Sequence, residues 1–296
     1  MRIAAIAALG FLAACASAEG PAPDAPVRSL GEILDQAPAS DWRTVDQNNL
    51  IYMQLPQGRV VIELAADYAP AHAANIRALA RAHYWDSAAI VRSQDNYVVQ
   101  WARDEGDPRP MGEGAASLAP EFDRPRAGVE ITRLVDPDSY AREVGFAYGF
   151  PVASNGQRTW LTHCYGMVGA GRGDTADSGS GAELYVVIGH APRHLDRNIT
   201  TVGRVLQGME LLSVMPRGTG PLGFYETPQE RTPILSVRLG SELPQSERVN
   251  FEALRTDSAT FRDVIESRRF RRDGWFLDPI GHINVCNVPL PVRARG

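Results

Sequence analysis

Apolar and polar residues alternate from Leu50 to Leu55, and Gly58-Arg59-Val60-Val61-Ile62-Glu63-Leu64 follows a turn that contains Pro56. That period of two predicts a hairpin of two half-buried strands. The period then lengthens. From Pro70 to about Arg81 the apolar residues Ile76, Leu79 and Ala80 share one helical face, with Asp67 as the expected cap and Pro70 in the first turn, where its missing N–H costs little. A third strand over Tyr84 to Gln100 gives the order strand, strand, helix, strand. Asp123 to Trp160 holds Pro125, Pro137 and Pro151 among the aromatics Tyr140, Phe146, Tyr148 and Phe150, and is expected to be an ordered excursion packed on the main body. Beyond Gly240, Phe251, Leu254, Phe261, Val264 and Ile265 predict one or two amphipathic helices with Asp257 or Ser258 as cap. A last extended segment, Gly281 to Pro291, carries Cys286.

The first residues follow a different rule. Met1-Arg2 precedes an apolar run, Ile3 to Leu12, about half as long as a bilayer span, so residues 1–18 are expected to be a cleaved export signal. Two cleavage signals compete. Leu12-Ala13-Ala14-Cys15 resembles a bacterial lipobox, which would acylate Cys15 and tie the protein to a membrane surface, whereas Ala16-Ser17-Ala18 fits simple release. Residues 19–43, rich in proline and alanine, read as a tether with a short helix at Leu30 to Gln36. The expected location is the bacterial cell envelope, periplasmic, with the lipid anchor as one of two outcomes. Export permits Cys164 and Cys286 to pair, the alternative being two buried thiols. With 296 residues and a net charge of -5, the chain can bury a full core and lacks the basic balance of a nucleic-acid binder.

Between Tyr84 and Gln100 the chain reads YWDSAAIVRSQDNYVVQ. The spacing of Tyr84, Arg92, Tyr97 and Gln100 resembles the active-site strand of the cyclophilins, the peptidyl-prolyl cis-trans isomerases. Pro70 and Asn75 resemble the family's proline-x-x-x-x-asparagine helix, Gly166 to Arg172 its glycine-x-leucine-serine-methionine-alanine-arginine strand, and Glu183 to Ile188 its glutamine-phenylalanine-phenylalanine-isoleucine strand. Leu195-Asp196, Thr201 to Val205 and Gly208-Met209-Glu210 resemble its closing strand and helix. The resemblance implies a mainly β fold: a closed eight-stranded antiparallel barrel capped by two helices, spanning residues 44–240 and enlarged by the excursion at about 123–160. A C-terminal α/β extension, 241–296, follows it.

The same resemblance implies a chemistry. Rotation about an X-Pro bond breaks amide conjugation, and the twisted proline nitrogen regains a lone pair that a fixed donor can meet. Arginine suits that task, being always charged with its donors in a planar fork. By resemblance Arg92 is the candidate donor and Gln100 its holder. Tyr97, Val98, Tyr185 and Leu195 would wall the proline pocket, with Gly171 and Arg172 along the peptide groove. No metal or cofactor is implied. The partners expected are proline-containing polypeptides, and the function is isomerisation of X-Pro bonds in exported proteins.

Several positions depart from the family: Val91 for histidine, Val98 for methionine, Glu183 for glutamine, His194 for tryptophan or phenylalanine, and Ile199 for histidine or tyrosine. A carboxylate at Glu183 is expected either to orient Arg92 by a paired hydrogen bond or to occupy its donors. These departures keep open an alternative, a proline-peptide binding or scaffolding module without turnover. Other motifs carry less. Gly169-x-Gly171-x-Gly173 lacks the spacing of a dinucleotide loop, Pro192 spoils a helical metal pair at His190 and His194, and no Gly-x-Ser-x-Gly elbow is present. Arg268, Arg269, Arg271 and Arg272 end an expected helix, where cations offset its dipole, with contact to anionic lipid as the other reading.

Overall fold

Leu50–Leu55 and Gly58–Leu64 form the expected hairpin, in register from Leu50 opposite Glu63 to Leu55 opposite Gly58. In the computed structural model, which describes residues 28–104, 106–107, 109–272 and 274–295, both faces of this hairpin are covered. Ile51, Met53, Val60 and Ile62 point into the main core, while Leu50, Tyr52 and Val61 pack against Phe251 and Ala253 of the C-terminal segment. Residues 1–27, including Cys15 and both cleavage signals, lie outside the described residues.

The hairpin belongs to a nine-stranded antiparallel sheet. Its order is Thr232–Pro233, Ala89–Ser93, Val98–Ala102, Leu184–Val187, Met167–Ala170, Thr201–Gln207, Gly58–Leu64, Leu50–Leu55, Ser236–Leu239. The two edge strands are neighbours in sequence, separated only by Ile234 and Leu235. The Ile234 amide donates to the Ala88 carbonyl at 2.8 Å and the Leu235 amide to the Gln54 carbonyl at 2.9 Å, so the linker touches both ends of the sheet and the sheet curls. Helix Pro70–Arg81 lays Ala73, Ile76, Leu79 and Ala80 on the core. Its cap differs from expectation: Ala69, not Asp67, is the N-cap and gives no side-chain bond. The Glu121 carboxylate, distant in sequence, accepts from the Ala71 and His72 amides at 3.0 and 2.9 Å instead, a negative charge on two orphan donors.

The excursion folds as a sheet of its own, ordered Arg124–Pro125, Arg158–Leu161, Phe150–Ser154, Glu143–Ala147, Thr132–Leu134. It shares a second core with helix Ala259–Phe270: Phe146 meets Phe261 edge-on at 5.0 Å, amid Val144, Val152, Val264 and Ile265. Ser258 caps that helix by accepting from the Phe261 amide. Phe251 and Leu254, expected in a helix, lie in the strand Asn250–Leu254. Its backbone is paired on both sides, by Trp42–Thr44 and by Val292–Arg295, and that pairing overrides local helical spacing. Within residues 19–43, Leu30–Asp35 is a helix closed by a Ser29/Glu32 capping box. Cys164, between the strands Arg158–Leu161 and Met167–Ala170, forms a disulfide with Cys286 of the C-terminal segment. Two further helices complete neither sheet but close their flanks: Leu30–Asp35 lies against Ala259–Phe270, and Met209–Ser213 follows Thr201–Gln207.

Candidate active site

Arg92 stands on Ala89–Ser93, directly opposite Gln100 on Val98–Ala102, because a register shift between Ile90 and Arg92 brings them level. The Arg92 Nη1 donates to Gln100 Oε1 at 3.0 Å, its Nε to the Leu222 carbonyl at 2.7 Å, and its Nη2 to Gln94 Oε1. The guanidinium also lies over the rings of Tyr97, at 5.5 Å, and Phe224, at 5.1 Å. Three of the five N–H donors of an arginine are thereby engaged, leaving two for a ligand. Burial lowers the guanidinium pKa from its ordinary value, against the opposing pull of Tyr97 and Glu183, and the group stays cationic at neutral pH.

Glu183 does not pair with Arg92. Its Oε1 accepts from Gln100 Nε2, so the amide of Gln100 lies between carboxylate and guanidinium. A carboxylate can only accept, which turns the Gln100 nitrogen toward Glu183 and its oxygen toward Arg92. Gln100 is 6% exposed, and both ends of its amide are used. The expectation of a direct paired bond is therefore replaced by a relay.

Beside the guanidinium lies a small apolar cluster apart from the main core: Val98, Tyr185 and Val187 buried, with Tyr97, Leu195 and Ile199 packed against them. His194, exposed, stacks on Tyr97 with ring centres 6.3 Å apart. Gly171 donates its amide to the Glu183 carbonyl at 2.9 Å, and Arg172 binds the Asn198 and Gly173 carbonyls. Gly171, Arg172 and Glu183 border a cleft of about 360 Å³ that continues past Tyr84 and Arg103. The residues singled out in sequence thus converge on one surface.

A profile of the cyclophilin type peptidyl-prolyl cis-trans isomerase family matches residues 50–239. The chain belongs to that family. A crystal structure of the cyclophilin AquaCyp293 from Hirschia baltica superposes with a TM-score of 0.67 at 22% identity, covering 90% of this chain and 97% of that one. That coverage exceeds the family core, so the shared fold takes in more than the curled sheet. A Cryptosporidium parvum cyclophilin type peptidyl-prolyl cis-trans isomerase, crystallised in the presence of the dipeptide ala-pro, gives a TM-score of 0.42 at 13% identity over 64% of this chain and 98% of that chain. Comparison with curated protein sequences finds no match.

This cyclophilin carries features that the sequence reading missed. Leu222, Gln94 and Phe224 hold Arg92, yet they come from a turn and a loop with no periodic pattern. Val187 completes the apolar cluster and is indistinguishable in sequence from a core valine. Tyr185 stands where the family pattern has phenylalanine, and its hydroxyl is hydrogen-bonded to His163 Nε2 at 2.8 Å. Gly169 stands where the pattern has serine, and a Cβ there would lie 2.3 Å from the Tyr185 hydroxyl, so glycine makes room for it. Burial pushes the Tyr185 phenol well above its ordinary pKa, keeping it neutral. From His163 the chain of contacts runs to Asp196 at 3.0 Å, to Arg193 at 2.6 Å and to Asp138 of the excursion at 2.9 Å. Burial opposes ionisation of Asp196, but the His163 hydrogen bond and the Arg193 charge outweigh it and hold the carboxyl below its ordinary value. This buried network ties the loop bearing His194, Leu195 and Ile199 to the inserted sheet.

Proposed function

We propose that Arg92 is the group through which this cyclophilin isomerises X-Pro bonds, and that its clients are proteins folding in the bacterial cell envelope. The observation that carries the reading is a half-buried guanidinium, held at three donors, with two N–H left beside an apolar cluster. In a planar amide the proline nitrogen accepts nothing; as the bond twists its lone pair returns, and a donor already in place stabilises that state selectively. Val98, Tyr185, Leu195 and Ile199 would receive the ring, Tyr97 and His194 would form its rim, and Gly171 with Arg172 would guide the peptide. Preorganisation of Arg92 by Gln100 limits the reorganisation needed at the moment of twisting.

Envelope location is supported by the N-terminal apolar run and by a disulfide that an oxidising compartment favours. Acylation of Cys15 belongs to the same proposal. We read the curled sheet as a closed barrel of eight strands in which Thr232–Pro233 and Ser236–Leu239 are one interrupted strand, since their linker bonds both ends. A second reading, a peptide-binding module without turnover, draws on the engagement of three Arg92 donors. Exchange of a proline peptide measured by NMR decides between them: the native protein should accelerate it and Arg92→Ala should lose most of that acceleration. Exchange no faster than the free peptide, with the peptide still bound, selects the binding module.

A further inference from the structure

Beyond helix Ala259–Phe270 the C-terminal segment presents a face that isomerisation does not use. Trp275, Leu277 and Ile280 leave 80%, 97% and 87% of their surface in water, three large apolar side chains on one short loop. Such a cluster is more than the scattered exposure normal for a soluble surface. Arg268 and Arg271 line an adjoining cleft of about 560 Å³, together with Met167, Val205 and Val288. Arg271 lies over the Phe276 ring at 5.0 Å, which joins cleft and loop. Among the described residues no carboxylate pairs with Arg268 or Arg271. Asp136 and Glu266 hold Arg269, Asp263 holds Arg28, and Asp278 is exposed in the loop.

We propose that this face docks on an anionic phospholipid surface, with Trp275, Leu277 and Ile280 seated in the interfacial layer and Arg268 and Arg271 meeting headgroup phosphates. Tryptophan with aliphatic neighbours suits the boundary between headgroup and acyl chain, and guanidinium forks match phosphate oxygens. The start of the described chain adds a geometric reason. Arg28 is ion-paired to Asp263 on this same helix at 2.6 Å, and at most about 45 Å of extended chain separates it from Cys15. An acyl group there would reach the membrane that the loop meets, supplying the second attachment that stable anchoring requires.

The test uses the full chain with Cys15→Ser and Leu277→Cys, labelled at position 277 with a polarity-sensitive fluorophore while the native disulfide stays intact. Phosphatidylglycerol vesicles should shift the emission to the blue and raise its intensity, and phosphatidylcholine vesicles should not. Adding Arg268→Gln and Arg271→Gln should weaken the response roughly 25-fold, at about 5-fold for each arginine near a charged surface. A fluorophore that stays water-like on phosphatidylglycerol overturns the proposal, even where the N-terminal run holds the protein on the vesicle. So does an equal response to phosphatidylcholine, or an arginine pair whose removal changes nothing. Turnover of a soluble proline peptide should be unaffected in every variant, which separates this outcome from failure of Arg92.

Discussion

Replacing Glu183 by leucine isolates the relay that orients Arg92. Gln100 is buried and donates its Nε2 only to Glu183, so the substitution strands a buried donor, at a cost of about 1–3 kcal/mol. The amide regains its second orientation, in which its nitrogen faces the Arg92 donors and repels them. If that cost falls on the twisted state, kcat should drop by roughly 5- to 150-fold, with little change in KM, since a peptide meets the freed Arg92 donors only as its bond rotates. Glu183→Gln keeps an acceptor and loses only charge assistance, so it should retain activity within about 5-fold, given that neutral bonds are roughly half as strong as charged ones. The assay is NMR exchange on a proline peptide across a range of concentrations, with thermal unfolding to verify that the variants remain folded. Equal activity of the leucine and glutamine variants, or a loss confined to KM, would refute the relay.

Three other outcomes follow from the same structure. Gly223 has a φ of +77° and a Cβ there would sit 2.6 Å from Gln94 Cα, so Gly223→Ala should lift the loop from Arg92 Nε and cut kcat/KM about 10-fold. Leu222→Gly, which suits the observed φ of +57° and keeps the carbonyl, should spare activity; the reverse ranking in kinetics would contradict this role of the loop. Opening the Cys164–Cys286 disulfide by Cys164→Ala with Cys286→Ala frees a span of 122 residues, an unfolded-state effect of roughly 5 kcal/mol, and should lower Tm by about 8 °C in calorimetry. An unchanged Tm would show that the second core holds the segment without it. Burial pushes the Tyr68 phenol up to about 12, so its contribution is complete below pH 10 and is lost as pH rises from about 10 to 12, by at most about 2.7 kcal/mol. Urea midpoints across that range should fall more steeply for the native chain than for Tyr68→Phe; parallel curves would exclude Tyr68 as the cause.

The sequence by itself determined the repeating elements and the family's marks on them. Spacing along the chain placed the hairpin at residues 50–64 and the helix Pro70–Arg81, and the distances among Tyr84, Arg92, Tyr97 and Gln100 pointed to one active-site strand, which the structure folds as the pair Ala89–Ser93 and Val98–Ala102. The tertiary structure alone decided what meets those residues. Asp67 gave way to Glu121 as the partner of the helix N-terminus, Phe251 and Leu254 became strand because two distant segments paired with them, and Glu183 reached Gln100 rather than Arg92. Leu222, Phe224 and His163 come to the site through loops and buried contacts between segments far apart in sequence. Which carbonyl or carboxylate satisfies a buried donor depends on three-dimensional proximity, and no spacing along a chain encodes that.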